Sequence, residues 1–478
     1  MMEYPEIVIG YAPTRRDEAI NRETAAFQEA IREKIAGWGA KLVDIDGIDD
    51  GLLYTHQGAK EAAARFIAAG VDGIFVPHCN FGCEKAVAEL AKLVGKPVLL
   101  WGPRDGEPQK GVGRERDTQC GLFVSGKALR RVNVPFTYLT NSDLECAEFE
   151  RGYRDFVAVC GVIRDFRATR ILQISVRPEP FWSVICNEGE ILEKFNISVM
   201  PITFYDLKNR LDQLKAEKGA RVTEAIEDYR TRLVCSNLTE EMLLNMACLQ
   251  VAIETFCEEY DCNVTVLQCW DCLQDLASCA SCTINGILTE RGLPVICEDD
   301  IHGAITARLL QAAVHQSTSI FFADLTIRHP ANDNAELLWH CGNFAPSLAR
   351  NPEARNLNTV NLDNGKCVPA MSQWEIRHGD MTVCRFDGDH GEYMLFIGEG
   401  KGVEGPQTNG TYSWFQVDNW KKWEHRLVSG PYIHHVAGVH GKVAHILFEA
   451  CRYLGIQADP VSPEADELSA YWQGWGSR

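Results

Sequence analysis

Over residues 6–140, short apolar runs alternate with amphipathic stretches at a regular spacing. The runs are IVIGYA (7–12), KLVDI (41–45), GIFVPH (73–78), PVLLWG (97–102) and VPFTYL (134–139). Between them, 17–37 and 57–70 carry the helical period, with Gly70 and Gly95 where helices would stop. Strands and helices in this alternation predict a parallel sheet covered on both faces.

A second alternating block begins with a helical stretch at 143–167. RILQISV (170–176), a helix at 184–195, SVMPITF (198–204) and helices around 206–232 and 238–260 follow. VTVLQC (264–269), PVICED (294–299) and SIFFADL (319–325) complete the block. After about residue 335 the texture changes: VCRFDG, EYMLFIGEG and YSWFQVD, separated by Gly-rich turns, predict antiparallel strands. A last helix is expected over roughly 437–454. The fold predicted is therefore α/β: two parallel-sheet α/β domains, 1–142 and 143–335, then a smaller β-rich C-terminal domain, 336–478.

Composition narrows the function more than the fold. A chain of 478 residues exceeds what one core can organise. Its net charge of −19 argues against a nucleic-acid groove or an anionic membrane surface as partner. No apolar run approaches the length of a membrane span. The opening MMEYPEIVIGYAPTRRD lacks the charged, apolar and small-residue order of a signal peptide. Nineteen cysteines in such a chain suggest reduced thiols in a cytoplasm. No G-x-G-x-x-G follows the first strand, so a dinucleotide site has no support.

Ligands of parallel α/β domains gather at the carboxyl ends of strands. Those ends offer Arg15-Arg16-Asp17, His78-Cys79-Asn80, Gln268-Cys269-Trp270, Glu298-Asp299-Asp300 and Asp324. Glu298 and Asp324 are candidate oxygen ligands, although acidic residues after a strand often only cap the next helix, as Asp299 or Asp300 would. The segment PYIHHVAGVHGKVAH (431–445) holds four of the thirteen histidines, a density that points to a metal. Carboxylates joined by imidazole, without thiolate, suit Mn²⁺, Mg²⁺ or Co²⁺. The rival is Cys269-x2-Cys272-x6-Cys279-x2-Cys282. Its two pairs lie closer than the roughly fifteen to twenty residues of a zinc ribbon, which favours buried structural thiols.

Read in order, IGYAPTRRD, VTVLQCW, VICEDDIHGAI, IFFADLT, HCGNFAPSLA and HHVAGVH resemble the L-fucose and L-arabinose isomerase superfamily over most of the chain. The resemblance implies an aldose–ketose isomerase working through an enediolate. Glu298 and Asp324 would be metal ligands that double as acid and base, with His435 a ligand and His340 a fourth. His434 is the alternative to His435, because the register of adjacent histidines is ambiguous. Arg15, Arg16, Asn80, Gln268, Trp270 and His434 would meet the substrate. The implied cofactor is Mn²⁺ or another divalent cation, and the implied assembly is a homo-oligomer, trimer or hexamer, with sites completed by the 11–17 and 78–84 loops of a neighbour. The substrate stays open among a deoxysugar, a pentose and a sugar anionic at C6 such as sulfoquinovose. A metal-dependent aldolase-type lyase and a non-catalytic sugar-binding protein are the alternatives.

Overall fold

The computed structural model describes residues 6–16, 22–108, 110, 116–270, 272–315, 317–361 and 367–472. Asp17 and the first turns of the helix expected from 17 lie outside them. The chain forms two compact units. The N-terminal unit takes Tyr4–Arg164, Phe448–Gly455 and Ala465–Arg478; the larger unit takes Asp165–Leu447 and Ile456–Glu464.

Five parallel strands make the N-terminal sheet: β1 (Val8–Tyr11), β2 (Lys41–Val43), β3 (Gly73–Pro77), β4 (Val98–Trp101) and β5 (Thr137–Tyr138), in the order β2-β1-β3-β4-β5. The central strand β3 is buried along its whole length, as a sheet covered on both faces requires. Gly70 and Gly95 end their helices in the left-handed conformation, each at φ 65°.

In the larger unit β6 (Arg170–Ile174), β7 (Ser198–Ile202), β8 (Val264–Leu267) and β9 (Val295–Cys297) form a parallel sheet ordered β7-β6-β8-β9. The remaining strands are β10 (Ile320–Arg328), β11 (Ala335–His340), β12 (Asn356–Asn361), β13 (Cys367–Glu375), β14 (Asp380–Asp389), β15 (Glu392–Val403), β16 (Thr411–Gln416), β17 (His435–His440) and β18 (Gln457–Ser462). They make one mixed nine-stranded sheet, ordered β12-β13-β16-β11-β10-β17-β14-β15-β18. Two parallel α/β sheets followed by a β-rich C-terminal sheet match the fold class expected from the sequence.

Two elements differ from expectation. The run 319–325 does not join the parallel sheet: β10 pairs antiparallel with β11 and β17. Only residues 329–334 separate β10 from β11, too few for the crossover that parallel neighbours need. Asp324 therefore sits within a strand, not at its carboxyl end. The second difference is the histidine segment, which is strand β17 before it is helix. Its alternation of His, Val and Ala suits a strand, and Gly438 is required there: a Cβ would lie 2.3 Å from the Phe321 ring. Gly441, at φ 123°, then turns the chain into the helix containing Ala444–Leu454. His440 consequently lies on a strand, and only His445 is helical. No helix among the described residues is long and apolar enough to cross a membrane.

Candidate active site

The site of the larger unit is built where the parallel sheet meets the mixed sheet. Strand pairing supplies the first half, because Asp324 of β10 lies directly opposite His435 of β17 in antiparallel register. Directly opposed side chains on one face of a sheet have Cβ atoms about 4.5–5.5 Å apart. The second half comes from the end of β9, where Glu298 (φ 64°) and Asp299 (φ 59°) both adopt left-handed backbone. Ser175, just past β6, does the same at φ 73°. Non-glycine residues held this way cost about 1–3 kcal/mol each and cluster at functional sites.

Three carboxylates meet around one imidazole. His435 Nε2 lies 3.0 Å from Glu298 Oε2 and 3.6 Å from Asp324 Oδ1. Its Nδ1 lies 2.9 Å from Asp300 Oδ2. Asp300 also caps the following helix, accepting from the Gly303 amide at 2.8 Å, so capping and site roles fall on one carboxylate. The fully buried Arg385 guanidinium bonds Asp300 and donates from Nε to Asp387 Oδ2 at 2.8 Å. Asp387 accepts in turn from His302 Nδ1 at 2.8 Å.

This arrangement fixes the charge states. Burial opposes protonation of His435, but bonds to Asp300 and Glu298 raise its pKa to about 9. Burial alone would raise the Asp300 carboxyl, yet Arg385 and His435 hold it far below the usual carboxylate range. Glu298 is lowered in the same sense, burial being outweighed by His435. Asp299 goes the other way, pushed up to about 7 chiefly by burial, against the pull of its 2.8 Å bond from Gln173.

The same donors suit a divalent cation in place of the His435 proton. Asp324 Oδ1 is buried without a hydrogen-bond partner, although it faces the imidazole. Asp324, His434 and His435 each bring a ligand atom within 4.8 Å of the others, and Glu298 adds its oxygen 3.0 Å from His435 Nε2. Two carboxylates with imidazole nitrogen form a set for a hard or borderline divalent ion. With Asp300 on Nδ1, the His435 ring presents Nε2 to the carboxylates, as ligating histidines commonly do.

The other residues singled out by sequence divide into two groups. His340 accepts from the Cys341 amide through Nδ1 at 2.9 Å, and its Nε2 lies 4.0 Å from Asp324 Oδ1. His434 is exposed, with its ring 4.3 Å from that of His435. Trp270 donates from Nε1 to Glu298 Oε1 at 3.2 Å, and the Gln268 Oε1 is buried without a partner. Arg15, Arg16 and Asn80 belong to the N-terminal unit. Arg15 lies 3.5 Å from Asp50 and over the Tyr54 ring; Arg16 covers Phe81 and donates its amide to Asn80 Oδ1 at 2.9 Å. Of the cysteine cluster, Cys269, Cys279 and Cys282 are buried, Cys272 is exposed and all four are free thiols. No group of three ligand atoms forms on them among the described residues.

Sequence reasoning missed the Asp300–Arg385–Asp387–His302 chain and Phe181. The Phe181 ring packs edge-on against Trp270 at 4.9 Å and lies 6.3 Å from the His435 ring. An arginine inside the apolar run of β14 was a visible signal, since only a buried ionic role keeps a charge there.

Comparison with known proteins places the chain in a family. Residues 10–167 match the N-terminal domain of fucose/sulfoquinovose isomerase, and residues 338–461 match the C-terminal domain of L-fucose isomerase. Together these cover more than half of the chain, and the protein belongs to the fucose isomerase family: it is an aldose–ketose sugar isomerase. It is similar to the sulfoquinovose isomerase of Alkalicoccus urumqiensis, at 24% identity over 75% of this chain and 79% of that protein. It is also similar to that of Priestia aryabhattai, at 23% identity over 81% of this chain and 85% of that protein. Among solved structures, the periplasmic binding component of the arabinose ABC transporter from Shewanella sp. ANA-3 covers 60% of this chain and 78% of its own, at 13% identity. Its TM-score of 0.16 is too low to bear on fold or function. Family membership sets aside the lyase and binding-protein alternatives.

Proposed function

We propose that the protein isomerises sulfoquinovose, an aldose with a sulfonate at C6, to its 2-ketose with the help of a divalent cation, Mn²⁺ preferred. The relatives named for that reaction support the substrate. The convergence of Glu298 and Asp324 on His435 Nε2, with Asp324 Oδ1 left unpartnered, carries the chemistry. Glu298, Asp324 and His435 would hold the ion, with His340 or His434 as a further donor. When bound, the cation would draw off the negative charge that develops on O1 and O2.

The chain's own residues then handle the protons. One of the two carboxylates takes the proton from C2 and delivers a proton to C1, while the other moves the hydroxyl proton from O2 to O1. Trp270, bonded to Glu298, orients that carboxylate and offers an aromatic face to the sugar. Gln268 and His434 supply hydroxyl contacts, and Arg15, Arg16 and Asn80 keep their assignment to substrate on the family resemblance. On the same footing the enzyme is a cytoplasmic homo-oligomer, a trimer or hexamer; light scattering that found an active monomer would contradict this.

The test is ketose formation with Mn²⁺ across a panel holding sulfoquinovose, L-fucose, L-arabinose and D-glucose. Sulfoquinovose should give the highest kcat/KM, and the ketose formed in D₂O should carry deuterium at C1. Turnover of a neutral aldose with none of sulfoquinovose would contradict the substrate. Full retention of the migrating hydrogen over several turnovers would contradict the carboxylate route.

A further inference from the structure

An anionic substrate entering this site meets Glu298, Asp299, Asp300 and Asp324, so a cation is needed to recognise it. The loops at the carboxyl ends of β6, β7, β8 and β9 cover 175–187, 203, 268–271 and 298–300, and the only lysine or arginine among them is Arg177. Its guanidinium is anchored through one nitrogen. Nη1 donates to the carbonyls of Pro178, Glu179 and Phe181 at 3.2, 3.0 and 3.3 Å. Among the described residues, Nε and Nη2 make no hydrogen bond and no carboxylate lies within ion-pairing distance of Arg177. Those two nitrogens form the edge of a guanidinium that grips an oxyanion with two parallel bonds.

The anchoring also ties the guanidinium to a residue that lines the site. Phe181, whose carbonyl Arg177 holds, packs against Trp270 and lies near His435. The Arg177 backbone amide faces the Asp299 carboxyl, next in sequence to Glu298. The side chain is half-buried, so a ligand can reach it at little further cost in rotamer freedom.

We propose that the Nε–Nη2 edge of Arg177 is the anion subsite of this enzyme and binds the sulfonate at C6 of the substrate. The assignment rests on the sulfoquinovose reading above, and sets Arg177 as the specificity-determining cation of the larger unit. The experiment compares kcat/KM for sulfoquinovose with that for 6-deoxy-D-glucose, which has the same ring and no charge, in wild type, R177M and R177K. In R177M the preference for sulfoquinovose should fall by roughly ten- to a hundredfold, the range of a charged hydrogen-bonded contact. It should fall mainly through KM, with R177K, which keeps the charge and loses the fork, in between. An unchanged preference, with both sugars losing equally, would overturn the proposal and leave Arg177 a loop anchor. If the wild type does not isomerise sulfoquinovose, the substrate reading fails by itself. The subsite is then judged with inorganic sulfate as competitor of the aldose that is turned over: inhibition lost in R177M supports it, and equal inhibition overturns it.

Discussion

In the N-terminal unit the polar residues that follow the parallel strands are closed off by their own surroundings. Thr14 donates to the Leu53 carbonyl at 2.8 Å and accepts from the Cys83 amide at 3.0 Å. His78 Nε2 meets Ser125 at 2.8 Å while its Nδ1 is buried without a hydrogen-bond partner, and Asn80 Oδ1 accepts two backbone amides. In the larger unit the end of parallel strand β9 holds left-handed carboxylates, with an orphaned Asp324 oxygen supplied from within β10 and a guanidinium with no exposed surface from within β14. Two sheets of one architecture thus differ in how their polar ends are satisfied. In the first, neutral groups are joined mostly by hydrogen bonds; in the second, charges are left facing one another, and that surplus is what a cation and a substrate can use.

The largest effect should come from breaking that surplus. Asp300→Ala leaves Arg385 with Asp387 alone and removes the acceptor of His435 Nδ1. Removing one member of a buried ionic network costs about 3–5 kcal/mol, and chemical denaturation should find a loss of that order. A loss below about 1 kcal/mol, within the range of an exposed pair, would deny that the chain is buried and coupled.

The carboxylates proposed as acid and base come next. Glu298→Gln and Asp324→Asn should each lower kcat at least the roughly hundredfold typical of general acid–base groups, and should lower the divalent metal retained after gel filtration. Either variant keeping both metal content and rate would remove that residue from the site.

What the sequence revealed follows the range of the interactions. Glu298, Asp324 and His435 were legible because strand ends and a histidine-rich segment are local patterns. Their meeting was legible only through family resemblance, since the register that sets Asp324 against His435 joins residues more than a hundred apart. The placement of β10 in a parallel sheet failed because an apolar run of its length fits either sheet type, and the short connection to β11 was the discriminating feature. Reading 437–440 as helix failed for a similar reason: Ala-Gly-Val-His is ambiguous until Phe321 is seen to demand a glycine. Arg385 and Asp300 lie 85 residues apart, and nothing local announces their contact.

The smallest expected effect belongs to the N-terminal unit and sharpens the contrast. Burial lowers the pKa of His78 to about 4 from the ordinary histidine value of about 6.5. Between those values the unfolded imidazole binds a proton that the folded one does not, so stability falls as pH drops through 6.5 towards 4. The linkage amounts to about 2 kcal/mol between pH 7 and pH 5. Urea denaturation at the two pH values should show that much less acid sensitivity in His78→Asn than in wild type, and equal sensitivity would place a proton on the folded imidazole.

The central claim, that one cation site is made by Glu298 after β9, Asp324 of β10 and His435 of β17, is tested most directly by anomalous diffraction at the manganese edge from crystals grown with Mn²⁺. A single strong peak per chain bonded to Glu298, Asp324 and His435 is the expected result. A peak instead at Glu375, His378 and Glu404, the other group of close ligand atoms among the described residues, or at the Cys269 and Cys282 thiols, with none at His435, would contradict the account.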